Sequence, residues 1–320
     1  MDVIGAIVTR VRCRRTASRV KIAAGHALSR VTTWMGFTMN RVGPSAEWVV
    51  RTPSPRLAPF VDRYIGYRFT VNDPGLHRGL PSAHMTLIAS IGASIDVVLQ
   101  ADPAQSPDSY GCVVGGLSSR PALISNGTHQ EGVAVELTPL GSRALLGMPA
   151  GELQNTSLEL ADLAGSAGAE LWQRLQAAAG WTDRFAVCDE VLGRMVNPDD
   201  VASPELSHAW RTLLGTCGNA PVSAVAESIG WSRQHLARRF GTEFGLSPKL
   251  AARVIRFSKA RQMLASTPSF ITLAQVAAAC GYYDQAHLDR DFTELAGCSP
   301  SAWMAAEQVP FVQDAEPARA

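Results

Sequence analysis

The chain has 320 residues, 46% of them apolar, and a formal net charge of +1. Length favours two domains, the apolar content supports globular cores, and the charge excludes a polyanion binder acting by bulk charge. Six scattered cysteines without a C-x-x-C pair argue against a disulfide framework or a zinc site, and no apolar run is long enough to span a membrane. A reducing, cytoplasmic setting fits both.

Residues 1–45 carry Arg10, Arg12, Arg14, Arg15, Arg19, Lys21, Arg30 and Arg41 against Asp2 alone. They read as a basic, disordered extension, with Met35 or Met39 as an alternative start. An arm on DNA phosphate and an organelle transit peptide share this composition. Residues 46–200 are expected to form a β-rich domain with a helical C-terminal part. Strands are predicted at Trp48-Val-Val, Tyr64–Phe69, Met85–Ile91, Ile95–Leu99 and Gly132–Leu137. Turn clusters at 72–75, 101–103 and 125–127 separate them and suggest a sandwich or barrel. Gly115-Gly116 and Ser118-Ser119 read as a β-turn, since neither a phosphate loop nor a nucleophile elbow is spelled there. Three-to-four spacing predicts helices over 161–179, 182–195 and 203–214. Asn197–Pro204 reads as a linker, and 307–320 as a disordered tail.

Between 204 and 306 one pattern is written twice. Ala226-x-x-x-Gly230-Trp-Ser232-x-x-x-Leu236-x-Arg238-x-Phe240 runs on to Gly245-Leu-Ser247-Pro248. Ala277-x-x-x-Gly281-Tyr-Tyr-Asp284-x-x-x-Leu288-x-Arg290-x-Phe292 runs on to Gly297-Cys-Ser299-Pro300, its turn one residue longer. Small alanines permit close helix crossing, the glycines end helices in the left-handed region, and Ser232 and Asp284 cap the next helix. This is a helix-turn-helix, twice. Ser247 to Ala265 predicts a basic, amphipathic joining helix; about 19 residues span ~28 Å, close to one turn of B-DNA. From Trp231 to Arg261 eight basic residues face only Glu243, net +7; from Gln262 to Glu307 the balance is −4.

These motifs resemble the DNA-binding domain of the AraC/XylS family of bacterial transcription regulators. The likeness covers about 85 residues, from Ala220 to near Ala305, and departs from the usual pattern at Ala279-Cys280, Asp289 and Asp291. It implies an α+β chain: a β-rich N-terminal regulatory domain, cupin-like or related, a helical linker region, and an all-α domain of two helix-turn-helix units joined by a long helix. Two N-terminal segments, His77–Gly92 and Gly132–Gly147, look like effector-domain segments of some members. A cupin metal site needs two histidines one residue apart. His77, His84, His129 and Glu136 lack that spacing, so no metal, cofactor or catalytic group is expected.

The resemblance makes Gln234, Ala237 and Arg238 base-reading positions. Arg233 lies beside them, and Arg239, Arg253 and Arg256 are expected on phosphates. The equivalent set in the second unit is Gln285, Ala286, His287, Asp289 and Arg290. Asp289 and Asp291 are expected to repel phosphate, leaving most affinity to the first unit and making the second a weaker reader or a face for RNA polymerase. The partners expected are double-stranded promoter DNA, a small-molecule effector, a second copy of the chain and RNA polymerase, with no membrane. Two other readings stay open: a cupin-like enzyme carrying a DNA-binding module, and a co-regulator that binds only protein.

Overall fold

A computed structural model describes residues 46–70, 75–125, 127–266 and 271–306. The basic extension and the C-terminal tail lie outside the described residues.

The N-terminal part is a two-sheet sandwich. One sheet has six antiparallel strands, β1 (Glu47–Arg51), β2 (Val61–Thr70), β4 (Met85–Ser90), β7 (Cys112–Gly115), β9 (His129–Leu137) and β10 (Ser157–Glu159), in the order β1-β2-β9-β4-β7-β10. The other has β3 (Leu76–Gly79), β5 (Ile95–Leu99), β6 (Asp108–Tyr110) and β8 (Ala122–Ser125), in the order β3-β8-β5-β6. Alternation along β2 explains the layering, because side chains two apart share a face. Ile65, Tyr67 and Phe69 point into the sandwich with Ala134 and Ile88. Tyr64 points the other way, onto Phe185 of a helical layer.

That layer contains α1 (Gly141–Leu146), α2 (Leu160–Ala164), α3 (Ser166–Ala177) and α4 (Trp181–Met195). The helix expected over 161–179 is broken at Gly165, whose φ of 57° with ψ of −130° is open essentially to glycine alone. The β-turn expected at Gly115-Gly116 is also corrected. Gly115 ends β7, and a Cβ on Gly116 would lie 1.7 Å from the Leu153 carbonyl oxygen. Close backbone approach, not turning, requires the glycine.

Arg184 of α4 is buried and donates to Glu131 at 2.5 Å, while Arg68 donates to the same oxygen at 2.8 Å. Both guanidiniums lie over Trp181, at 4.7 and 5.4 Å from the ring centroid. Hydrogen bonds from Arg68, then from Arg184, hold the Glu131 carboxyl down at about 2. The unfolded value is about 4.3. A folded value below the unfolded one stabilises fully above roughly pH 5 and loses that stabilisation as pH falls toward 2. Glu131→Gln should therefore lower the urea midpoint at neutral pH and flatten its acid-side fall. An unchanged acid slope would contradict this.

The C-terminal part is helical: α5 (Pro204–Gly215), α6 (Val222–Ser228), α7 (Arg233–Phe244), α8 (Pro248–Ser266), α9 (Leu273–Ala279), α10 (Gln285–Ala296) and α11 (Pro300–Ala306). Ser203 caps α5 by accepting from the Leu206 N–H, with Pro204 in the first turn. The buried core runs unbroken from the helix-facing side of the larger sheet, through Trp210, to Phe240 and Phe292.

Candidate nucleic-acid interface

The first helix-turn-helix is α6, the turn at Gly230 (φ 71°) and α7. Ser232 caps α7 through the His235 N–H. Leu236, Phe240 and Phe244 are fully buried, so α7 has one fixed inner face. On its outer face Arg233, Gln234, Ala237, Arg238 and Arg239 are all exposed. The same helix is tied to the N-terminal part at its C-terminal end. Arg143 of α1 grips buried Glu243 with two hydrogen bonds of 2.8 and 3.0 Å. The 3-10 turn Ala150–Leu153 packs alongside, close enough that a Cβ on Gly151 would lie 2.5 Å from the Thr242 carbonyl oxygen.

The second unit is α9, the turn at Gly281 (φ 78°) and α10. Asp284 accepts from the His287 N–H at 2.7 Å, and Leu288 and Phe292 are fully buried. Gln285, Ala286 and Arg290 are exposed, whereas His287 and Asp289 are half-buried. One likeness between the units escaped the sequence reading. His235 meets the Trp231 ring edge-on at 4.5 Å, and His287 meets Tyr282 edge-on at 5.1 Å. Each histidine sits three residues after its cap and braces the aromatic that follows the turn glycine. Both copies spelled this, but an aromatic–histidine pair carries no base-reading signature. His287, expected as a reader, braces Tyr282 here; its Nδ1 also accepts the Tyr283 N–H at 3.4 Å.

Two residues expected on phosphates make contacts within the protein. Arg253 of α8 donates to buried Asp291 at 2.8 Å and to Glu294 at 3.1 Å. These hydrogen bonds, that to Glu294 first, raise its already high pKa further. Its guanidinium is thus committed within the protein. Arg256 is half-buried, stacks over Tyr282 at 5.5 Å and donates to the Gly218 carbonyl at 3.4 Å. The premise that Asp291 repels phosphate falls too, because a buried, neutralised carboxylate projects little charge outward. The exposed basic groups of the two recognition helices are therefore Arg233, Arg238 and Arg239 on α7 and Arg290 on α10, where exposed Asp284 and half-buried Asp289 lie beside Arg290.

The candidate metal ligands do not assemble as a set. His84 and Glu136 come together with Asp62, their ligand atoms within 4.8 Å of one another. Arg63 already donates to both Glu136 oxygens, at 2.7 and 3.1 Å, which offsets the charge of that carboxylate. His77 lies elsewhere, on the wall of a cavity of about 200 Å³ between the two sheets. Tyr67, Phe69, Ile88, Ile124 and Ala134 supply much of its apolar surface.

A family model described as a helix-turn-helix domain matches residues 206–306. Residues 206–306 are an AraC-type helix-turn-helix domain. A second model, a domain of unknown function (DUF6597), matches residues 50–159, most of the sandwich ahead of the AraC-type domain. No curated protein matches the chain. Among solved structures, the C-terminal domain of AraT, a response regulator from Geobacillus stearothermophilus, is 26% identical, with 32% of this chain and 84% of that one covered and a TM-score of 0.30. The DNA-binding domain of AdpA, a global transcriptional factor solved with a target DNA, is 25% identical over 32% of this chain and 92% of that one, TM-score 0.30. ToxT from Vibrio cholerae, solved with (E)-4-(8-methylnaphthalen-1-yl)but-3-enoic acid, is 13% identical over 82% of this chain and all of that one, TM-score 0.45. With its AraC-type domain the chain is a DNA-binding transcription regulator.

Proposed function

We propose that this regulator is cytoplasmic and reads promoter DNA with α7 and α10 in successive major-groove faces, α8 fixing their separation. One observation carries the reading. Both helices bury a Leu–Phe face completely and leave the residues just after their caps exposed. That N-terminal end of a recognition helix is the part that meets base edges. Gln234 and Arg238 are the base readers in this reading, since Gln can bond adenine and Arg guanine in two places at once. Ala237 and Ala286 face the groove floor, and Arg233 and Arg239 flank it. The first unit supplies most of the affinity because three exposed arginines stand on α7 against Arg290 on α10. Gln285 and Arg290, beside exposed Asp284 and half-buried Asp289, then make the second unit the weaker reader, with RNA polymerase as a further partner of that face.

The sandwich is the sensing or dimerising half of the same reading. Its inter-sheet cavity has the apolar walls and few polar groups that suit a small effector. The Arg143–Glu243 contact joins that half to α7.

Arg238→Ala should weaken binding to a selected duplex by roughly 10–100-fold and relax preference at one base pair, in keeping with about 1–3 kcal/mol for a good bidentate contact. Titrations against the duplex and its single-base variants measure both. Equal losses on every variant would contradict base reading by Arg238.

A further inference from the structure

We infer that Tyr283 is a DNA contact whose hydroxyl donates to a backbone phosphate at the edge of the groove entered by α10. This rests on the regulator reading above. Tyr283 is 94% exposed, while Leu99, the next among the large exposed apolar side chains described, is 47% exposed. A large ring left so bare is unusual, because aromatics gain more than other side chains from cover.

Its position gives the exposure a direction. Tyr283 is the residue by which the second turn exceeds the first, inserted between buried Tyr282 and the cap Asp284. It therefore stands at the N-terminal mouth of α10, the end that approaches DNA in this fold. The turn that presents it is braced: its N–H donates to His287 Nδ1, and Tyr282 packs edge-on against that imidazole. The side chain is thus held out by a fixed backbone. Around it, Gln285 and Ala286 are exposed and uncharged, and the Asp284 carboxylate accepts the His287 N–H. The phenol brings no charge of its own beside that exposed carboxylate, and it suits phosphate, to which tyrosine hydroxyls commonly donate. The cation-poor second unit thereby gains an anchor that brings no charge.

The absence of charge gives the test. A neutral donor displaces no counterion, so its loss lowers affinity without changing the salt dependence, whereas loss of a phosphate-bound arginine reduces the slope by about one. The probe is a duplex selected from random DNA by the wild-type full-length chain, titrated at several salt concentrations. Tyr283→Ala and Tyr283→Phe should each bind about tenfold more weakly, as for one hydrogen bond to a charged group, with unchanged salt slope and urea midpoint. Arg239→Ala is the charged comparison. Wild-type affinity in Tyr283→Ala overturns the contact. Wild-type affinity in Tyr283→Phe alone overturns the hydroxyl's role. Failure of the wild-type chain to enrich any duplex overturns the regulator reading and the contact with it, and is distinct from both.

Discussion

Phe240→Ala is expected to cost about 3–5 kcal/mol of folding stability, the usual loss for a fully buried phenylalanine. Phe240 has no exposed surface, stacks on Trp210 at 5.8 Å and meets Phe244 edge-on at 4.6 Å. Its removal leaves a cavity where α5 and α7 meet. The repeat makes a second expectation. Phe292, also fully buried, meets Phe257 at 4.8 Å and Trp303 at 5.7 Å. Phe292→Ala should therefore cost a similar amount. Urea unfolding of both variants measures this. A loss below about 1 kcal/mol at either site would mean that its helix is not seated on that core.

Arg253→Ala should cost about 2–4 kcal/mol, somewhat under the usual range for a broken buried pair because the arginine is part-exposed. Arg253 retains 22% of its side-chain exposure and Asp291 only 5%. Truncation strands the Asp291 carboxylate in the core without its cation, which is where the penalty arises. Arg253→Ala with Asp291→Asn should recover much of the loss, since the stranded charge is then gone. This separates the two classes of arginine on the DNA-binding domain. Arg253→Ala lowers the urea midpoint, whereas Arg238→Ala leaves it nearly unchanged and lowers DNA affinity. An Arg253→Ala protein of wild-type stability with a shallower salt slope would return that residue to the phosphate-contact role.

The helical third was legible because its signals are local. Capping residues, turn glycines and Leu–Phe pairs four apart act within one or two turns of chain, and their repetition made them specific. The long strands β2, β4 and β9 were legible for the same reason, whereas β3, β6, β8 and β10 have three or four residues each, too few to show alternation. What the sequence hid was pairing at a distance. Arg253 meets carboxylates 38 and 41 residues away, and Arg143 meets Glu243 across 100 residues. A charge count along the chain placed Asp291 on the DNA side because it could not register that an arginine neutralises it inside. Gly116 is a similar case: its need for glycine arises from the Leu153 backbone, distant in sequence.

Selection of bound sequences from random DNA by the full-length chain, followed by footprinting on the enriched duplex, tests the two-unit reader most directly. One asymmetric site is expected, with protected major-groove faces on two successive helical turns and the stronger base preference lying under α7. Protection confined to a single turn, or no enrichment at all, would contradict it.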